Sequence, residues 1–323
     1  MSKPRVILTR RWPATVERAL EPRYEVELNA ADQPFTRAAL AAALTRADAL
    51  CPTVTDILDA DLLSAPGHRA RLIANFGVGF NHIDIASAQA VGLTVTNTPD
   101  VLTDCTADLA LTLLLMVARR TGEGERQVRA GAWAGWRPTH MLGRKVSGKT
   151  LGLVGFGRIA RAVAQRAHFG FGMRVVFHDP FPPPPQVAHA LGAQRLASLD
   201  DVLAESDFVS LHCPGGAATR HLIDAARLAR MKAHAYLINT ARGDVIDQAA
   251  LIAALDAGRI AGAALDVYAG EPAVPAALIA RENVVLLPHL GSATEETRIA
   301  MGERVIENLD AFFAGREPRD RVV

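Results

Sequence analysis

Three residues capable of acid/base or anion-binding chemistry each follow a short apolar segment in the second half of the chain. Arg242, Glu271 and His289 come after the apolar segments at residues 236–238, 261–265 and 284–287. An arginine can bind a carboxylate through two parallel hydrogen bonds. A glutamate that accepts a hydrogen bond from one ring nitrogen of a histidine favours the protonated ring, so the other nitrogen can donate a proton. These residue types together indicate proton transfer to a small anionic substrate.

Each of these residues also has a structural interpretation. Arg242 is equally well interpreted as a surface arginine paired with Asp244. An isolated loop histidine is more often structural than catalytic, and sequence spacing alone does not establish that Glu271 and His289 meet.

One glycine-rich segment has the pattern of a dinucleotide-binding turn. Gly155, Gly157 and Ala160 match G-x-G-x-x-[G/A] between an apolar strand and an amphipathic helix. The first glycine permits a tight turn, the second lets the backbone approach a pyrophosphate, and the small third residue lets helix pack on strand. Arg158 and Ile159 open the helix, whose N-terminal N–H groups would face the phosphates.

Asp179 ends the next predicted strand, where an acid accepts hydrogen bonds from an adenosine ribose. Its charge would repel the extra phosphate of NADP, and residues 180–185 contain no Arg or Lys to bind that phosphate. We therefore predict NAD as cofactor, with NADH preferred over NADPH. The alternative is an ordinary βαβ unit with a capping aspartate.

Residues 143–150 match a second phosphate-binding pattern, G-x-x-x-x-G-K-[ST], letter for letter. That motif works only between a strand and a helix, where loop N–H groups and the helix dipole meet the phosphates. Here a loop precedes it and a predicted strand follows it. We interpret the match as accidental and Lys149 as a solvated loop residue.

The elements that must position these residues alternate along the chain, as in α/β proteins with parallel sheets. Their apolar runs lack strict alternation because parallel strands are covered on both faces. Strands are predicted at residues 6–8, 72–74, 93–95, 151–154, 175–177, 208–211, 236–238, 261–265 and 284–287. Helices are predicted at residues 37–47, 83–90, 104–120, 159–169, 225–230, 248–257 and 294–313, the last with Thr294 as N-cap. Residues 133–148 show no clear hydrophobic period, and we predict that they form a long loop.

Composition excludes several classes of protein. The chain has 323 residues, enough for about two domains, and 50% are hydrophobic, which excludes a disordered chain. Lys+Arg 35 against Asp+Glu 34 gives a net charge of +1, which argues against nucleic acid or an anionic membrane as partner. The three cysteines have neither metal-ligand nor redox spacing, so no metal site is predicted. Without a signal peptide or a run of membrane-spanning length, we expect a cytoplasmic protein.

Several segments resemble the D-isomer-specific 2-hydroxyacid dehydrogenase family, and within it the glyoxylate and hydroxypyruvate reductases. The resemblance covers nearly the whole chain. Its motifs are GVGFNHID at residues 77–84, TNTP at 96–99, the glycine turn, NTARG at 239–243, DVY at 266–268 with Glu271-Pro272, and PHLGSA at 288–293. The ordered Arg, Glu and His set is highly specific to this family.

The resemblance implies a role for each matching residue. Arg242 would orient the substrate carbonyl and carboxylate, His289 would be the acid/base, and Glu271 would be its partner. Backbone N–H groups around Val78 and Gly79 would hold the substrate carboxylate. Further positions would line the cofactor: Thr106, Pro214, Thr240 and Asp266.

The resemblance also implies two doubly wound parallel-sheet domains. Residues 1–100 and 290–323 would form a flavodoxin-like substrate domain, and residues 101–289 would form the NAD-binding Rossmann domain. The chain departs from the family pattern twice. Ala160 replaces the third glycine, and Gly215-Gly216 replaces the usual Leu-Thr. The contacts of this glycine pair are therefore left open.

We expect NADH-dependent reduction of a small 2-oxoacid, glyoxylate or hydroxypyruvate, by a homodimer. Residues 51–56 carry no Arg or Lys for a substrate phosphate, and 34 residues (323 − 289) follow His289, which predicts no regulatory domain. Both observations disfavour phosphoglycerate dehydrogenase. Residues 75–81 lack the lysine of similar phosphite dehydrogenases. The alternatives are another D-2-hydroxyacid dehydrogenase and a non-enzymatic NAD-binding corepressor, which the complete Arg, Glu and His set disfavours. The dimer is implied by residues 133–142, which resemble a segment that reaches the partner subunit in similar reductases. The alternative is that the tryptophans of this segment belong to the protein core.

Overall fold

The computed structural model describes residues 3–323, which divide into two compact units. The first unit contains residues 3–102 and Ser292–Val323, and the second contains Thr103–Gly291. A π-helical turn at Arg166–Gly170 and a 3-10 turn at Gly243–Val245 supplement the regular elements. In chain order these elements are β1 (Arg5–Leu8), α1 (Ala14–Leu20), β2 (Glu25–Leu28), α2 (Arg37–Arg46), β3 (Ala49–Cys51), α3 (Ala60–Leu63), β4 (Leu72–Ala74), α4 (Ile85–Ala90), β5 (Thr94–Thr96), α5 (Thr103–Arg119), α6 (Thr121–Arg129), β6 (Thr150–Val154), α7 (Arg158–Gln165), β7 (Arg174–His178), α8 (Pro185–Ala190), β8 (Ala193–Arg195), α9 (Leu199–Glu205), β9 (Phe208–Leu211), α10 (Ala225–Leu228), β10 (Tyr236–Asn239), α11 (Gln248–Asp256), β11 (Gly262–Leu265), α12 (Ala276–Ile279), β12 (Val284–Leu286) and α13 (Glu295–Phe313).

The first unit is built on a five-stranded parallel sheet with the order β2-β1-β3-β4-β5. This is the flavodoxin-like order, and its strand order reverses between β1 and β3. Strands β3 and β4 are buried along their whole length, as expected for parallel strands covered on both faces. Helix α13 brings the end of the chain back to this unit, where Gly302 packs directly against Val16 of α1.

The second unit has a seven-stranded parallel sheet with the order β12-β11-β10-β9-β6-β7-β8. Both faces of this sheet are covered, as the alternate residues of β10 show by packing in different apolar clusters. Tyr236 and Ile238 pack in one cluster and Leu237 packs in the other. The strand order reverses between β6 and β9, and ligands of such sheets bind outside the carboxyl ends of the strands at this point.

Helix α5 carries much of the apolar core of the second unit. Ala107, Leu113, Leu114 and Ala118 are almost fully buried on its inner face. Its opposite face is more polar, as a helix packed on a sheet requires. None of the helices within residues 3–323 combines the length and the apolar character needed to cross a membrane.

The predicted fold class, two doubly wound parallel-sheet domains, is confirmed. Each of the nine predicted strands overlaps an observed strand, and Thr294 caps α13 by accepting from the N–H of Thr297. Strands β2, β3 and β8 were missed because they are short and two of them are polar edge strands. A strand, β6, follows the accidental phosphate-binding pattern at residues 143–150, as predicted.

Candidate functional site

His289 and Glu271 form a hydrogen-bonded pair beyond the carboxyl ends of β12 and β11. Nδ1 of His289 lies 2.7 Å from Oε2 of Glu271. Both side chains are partly exposed, 30% for the histidine and 29% for the glutamate. The pair uses Nδ1, and Nε2 of His289 has no partner among the described residues. That nitrogen is therefore the one available to a reacting molecule.

Glu271 is held as a carboxylate. Burial acts to raise its pKa, but the hydrogen bond and charge of His289, the backbone N–H of Tyr268 and the charge of Arg242 outweigh burial and lower it. The Tyr268 N–H donates to Oε1 at 3.0 Å, which fixes the orientation of the carboxylate. The Tyr268 hydroxyl donates to the carbonyl of Leu287 at 2.9 Å. Tyr268 therefore ties the glutamate loop to the strand that leads to the histidine.

The backbone of His289 is strained and is held by a buried acid. His289 has φ +55°, a left-handed conformation that costs an L-residue about 1–2 kcal/mol. The carboxylate of Asp266 accepts from the N–H groups of Leu290 at 2.6 Å and Gly291 at 2.8 Å. Asp266 is fully buried, and burial raises its pKa against the effect of these two N–H groups. Thr106 donates to the carbonyl of Gly291 at 3.0 Å. Two residues predicted to line the cofactor therefore also hold the histidine loop.

Arg242 lies in a turn that an asparagine fixes. The Asn239 side chain donates to the carbonyl of Arg242 and accepts from the N–H of Ala241, both at 2.9 Å. The Arg242 side chain is half-buried, and burial lowers its pKa, opposed by the charges of Glu271 and Asp244. Arginine stays protonated in proteins, so the site holds a fixed positive charge next to the Glu271 carboxylate.

Two glycines let the loops of this site approach one another. A Cβ at Gly243 would overlap the backbone carbonyl of Tyr268, so only glycine allows this contact between the arginine and glutamate loops. A Cβ at Gly215 would lie 2.7 Å from Cγ of Arg242 and 2.9 Å from Oδ1 of Asp244. The sequence left the contacts of Gly215-Gly216 open, and in the structure Gly215 lies against Arg242 and Asp244.

The glycine turn has the geometry that a phosphate-binding turn requires. Gly155 has φ +87°, and a Cβ there would lie 3.1 Å from the backbone of His212 and Cys213. Gly157 begins α7 without a side-chain cap, and a Cβ at this position would meet nothing within 4 Å. Ala160 is fully buried against the sheet. The N-terminus of α7 thus has open space beside a glycine that carries no side chain, as an anion site at a helix N-terminus requires.

Asp179 lies at the end of β7 beside this turn. Its two carboxylate oxygens accept from the N–H groups of Phe156 and Phe181, each at 2.7 Å. These bonds fix the carboxylate and leave lone pairs for further donors, because each oxygen can accept more than one hydrogen bond. In the first turn of α7, Arg158 is exposed and Ile159 packs on the core.

The residues of the second unit fit a dinucleotide. The Thr240 hydroxyl at the end of β10 is buried and has no hydrogen-bond partner among the described residues. Such orphaned groups are rare and indicate a missing ligand or water. Pro214 is exposed, and its carbonyl accepts from Thr219 at 2.6 Å. The open turn at Gly157 suits a pyrophosphate, and the Asp179 carboxylate suits ribose hydroxyls.

Val78 and Gly79 lie in the first unit, in a partly exposed loop after β4. Neither backbone N–H has an acceptor among the described residues, so both are available to an anion. Within residues 3–323 no group of His, Cys, Asp or Glu is arranged to hold a metal ion.

Three supporting residues were not predicted from the sequence in the roles that they have here. Asn239 is the last residue of a buried strand and precedes Arg242, a position where an asparagine side chain commonly closes a turn, and this signal was available. The roles of Tyr268 and of the Asp266 carboxylate could not be predicted, because the groups that they bind lie on segments distant in the sequence.

Comparisons with known proteins identify the family of the chain. Residues 111–291 match the family model described as "D-isomer specific 2-hydroxyacid dehydrogenase, NAD binding domain". The glyoxylate reductase of Thermococcus litoralis is 46% identical and aligns over 99% of this chain and 97% of its own. A putative D-isomer specific 2-hydroxyacid dehydrogenase from a Polaromonas species has a TM-score of 0.91 at 36% identity, covering 99% of this chain and 100% of that one. The NADPH-dependent glyoxylate/hydroxypyruvate reductase of Sinorhizobium meliloti, solved with NADP and malonate, has a TM-score of 0.88 at 34% identity, covering 100% and 97%.

Proposed function

Because the chain belongs to the D-isomer specific 2-hydroxyacid dehydrogenase family, we propose that it reduces glyoxylate or hydroxypyruvate to the 2-hydroxyacid with NADH. The observation that carries the proposal is the His289–Glu271 pair at 2.7 Å, with a fixed positive charge at Arg242 beside it. A proton donor, its carboxylate partner and an anion-binding cation are what carbonyl reduction of a 2-oxoacid requires.

The chain's own residues supply the proton and stabilise the charge. When bound, NADH supplies the hydride that the carbonyl carbon accepts. His289 donates from Nε2 to the carbonyl oxygen as negative charge develops there, because Nδ1 is engaged by Glu271. The ionised Glu271 stabilises the imidazolium before transfer and keeps the ring oriented. In oxidation the same nitrogen accepts the proton, so acidic solutions favour reduction and alkaline solutions favour oxidation.

Arg242 stabilises the developing oxyanion and orients the substrate. Its guanidinium remains charged, and a preorganised charge aimed at a forming oxyanion lowers the barrier. The N–H groups of Val78 and Gly79 bind the substrate carboxylate. A small 2-oxoacid suits these groups because they provide one carboxylate site and one carbonyl site, and residues 51–56 offer no cation for a phosphate.

We infer that NADH is preferred over NADPH. The Asp179 carboxylate is fixed by two backbone N–H groups and would lie close to an additional phosphate on the ribose. Two negative charges close together repel each other and weaken the binding of NADPH. The Sinorhizobium relative is NADPH-dependent, so this preference is a property that separates members of the family.

We further infer a cytoplasmic homodimer. Trp133, Trp136 and Leu142 follow α6 and are 55%, 82% and 67% exposed. Large apolar side chains clustered in one exposed segment are typical of an interface. The three cysteines are free, which suits a reducing compartment.

A panel of 2-oxoacids assayed in parallel with NADH and NADPH tests the proposal. We expect loss of NADH absorbance with glyoxylate and hydroxypyruvate, and slower loss with 3-phosphohydroxypyruvate. Binding of NADH without turnover of any 2-oxoacid would contradict the enzymatic proposal and favour the NAD-binding corepressor alternative.

A further inference from the structure

We propose that Asn75 and Asn97 are positioning residues that orient the backbone N–H groups of residues 78–80 as a carboxylate-binding surface. This inference rests on the proposed function, because it concerns how the substrate carboxylate is held. Both asparagines lie in the first unit, at the carboxyl ends of β4 and β5. Neither needs to touch the substrate.

Asparagine side chains donate hydrogen bonds to the backbone carbonyls of residues 77–79. The Asn75 amide donates to the carbonyls of Gly77 at 2.9 Å and Gly79 at 3.0 Å. The Asn97 amide donates to the carbonyl of Val78 at 2.8 Å. Three consecutive carbonyls therefore have asparagine donors, an arrangement that no helix or strand imposes on this segment.

The geometry of the peptide bond converts this arrangement into an anion site. In a trans peptide the carbonyl and the following N–H point in opposite directions. Fixing the carbonyls of residues 77–79 therefore turns the N–H groups of Val78, Gly79 and Phe80 the other way. None of these three has an acceptor among the described residues, and all three residues are partly exposed. Successive N–H groups facing one side form a concavity that binds anions.

The orientation of Asn75 is itself fixed. Its side chain is fully buried, and its Oδ1 lies 3.0 Å from Nε2 of His82. A histidine that donates to Oδ1 leaves the amide nitrogen facing the loop carbonyls, so the flipped rotamer would lose all three hydrogen bonds. A carboxylate in place of the amide cannot donate, so the Gly79 carbonyl would lose its asparagine donor and the Gly77 carbonyl would keep only the N–H of Thr98, at 3.1 Å.

Two substitutions separate lost orientation from added charge. Asn75→Asp keeps the shape, removes both donated hydrogen bonds and adds a negative charge. Asn97→Leu removes one donor and adds no charge. We expect the KM for glyoxylate to rise at least about tenfold in each variant, with a smaller change in kcat and no change in the Kd of NADH, because loss of one hydrogen bond is worth about tenfold.

Asn29→Asp is the matched control. The Asn29 amide also donates to two backbone carbonyls of the first unit, those of Thr9 and Gln33, but it does not contact residues 77–80. A wild-type KM in this control with raised KM in both variants supports the proposal. A KM within about twofold of wild type in both variants would overturn it, and if Asn75→Asp does not fold, Asn97→Leu alone decides.

Oxamate, an unreactive 2-oxoacid analogue, separates this proposal from the proposed function. We expect the NAD-loaded protein to bind oxamate in calorimetry, and both variants to weaken that binding at least about tenfold. If the wild-type chain turns over no 2-oxoacid but binds oxamate in this asparagine-dependent way, the proposed function fails and the inference stands. Equal oxamate affinity in wild type and both variants would overturn the inference whether or not the enzyme is active.

Discussion

Substitution of Gly215 by alanine should disturb catalysis by crowding Arg242, because the new Cβ would lie within 3 Å of both Cβ and Cγ of that residue. An alanine Cβ at this position would lie 2.7 Å from Cγ of Arg242, whereas ordinary contacts begin at 3.4 Å. The arginine must therefore move by the difference, 3.4 − 2.7 or 0.7 Å. Rotation of the side chain relieves the contact with Cγ. The Cβ of Arg242, 2.9 Å from the new methyl group, moves only with the backbone, whose carbonyl accepts a hydrogen bond from Asn239, so the turn must shift by a few tenths of an ångström as well. Gly215 itself has no left-handed φ, so alanine adds no backbone strain.

The expected loss follows from this displacement. A rotation that moves Cγ by 0.7 Å moves the guanidinium at the end of the side chain farther, on the order of 1 Å. Because a misplacement of about 1 Å can cost about a hundredfold in rate, we expect kcat/KM for glyoxylate to fall about 10- to 100-fold. That range corresponds to about 1.4–2.7 kcal/mol of lost transition-state stabilisation, at about 1.36 kcal/mol for each factor of ten.

A double-mutant cycle measured by NADH oxidation tests this explanation. Gly215→Ala should have a clearly smaller effect in an Arg242→Ala background, because Cγ and the guanidinium are gone and only the contacts with Cβ of residue 242 and Oδ1 of Asp244 remain. Gly170→Ala is the control, since its Cβ would meet open space and its φ is not left-handed. An equal loss of kcat/KM from Gly215→Ala in both backgrounds would show that the substitution does not act through Arg242. Wild-type kinetics in the single variant would show the same.

Four further predictions follow from the structure. His289→Gln should keep the Kd of NADH and lose at least about a hundredfold in kcat, and undiminished turnover would exclude the acid/base role. Asp179→Asn should lower the ratio of NADH to NADPH affinity about tenfold, because one negative charge is removed, and an unchanged ratio in fluorescence titrations would contradict the role of this residue. Burial acts to raise the pKa of Asp207, but hydrogen bonds from one backbone N–H and two basic side chains outweigh it and lower the pKa from 3.8 to about 2. A lowered pKa stabilises the fold above pH 3.8, so Asp207→Asn should cost roughly 2 kcal/mol of unfolding free energy at pH 7, a difference that shrinks toward pH 2 in denaturant titrations. Trp136→Asp should shift the proposed dimer toward monomer in light scattering, and a monomeric wild type would contradict that proposal.

The parallel-sheet architecture was predictable because its central strands are uniformly apolar. Residues 208–211 and 236–238 have no competing interpretation as amphipathic helices, and the glycine turn fixes the first βαβ connection. The missed strands β2 and β8 lie at sheet edges, where one side faces solvent and polar residues are tolerated. Their pairing is determined by the neighbouring strand, which the local sequence does not describe.

The candidate site was predictable in its residue types and less so in its supports. Arg242, Glu271 and His289 stand at strand ends, where chemistry is expected in such sheets. The left-handed backbone of His289, and the hydrogen bonds by which Asp266 holds the two residues after it, depend on contacts between segments distant in the sequence. Nor does a sequence pattern reveal that Gly215 lies against Arg242, because that contact joins two loops with no shared motif.

The most direct test of the proposed reaction is the transfer of hydride from the cofactor to the substrate carbon. The wild-type chain should be incubated with glyoxylate and NADH that carries deuterium in both hydrogen positions of the reactive nicotinamide carbon, and the product should be analysed by mass spectrometry. We expect glycolate with one deuterium on the carbon that carries the hydroxyl group, formed in proportion to the NADH consumed. Glycolate without deuterium, or deuterated NADH left unconsumed, would contradict the proposed reaction.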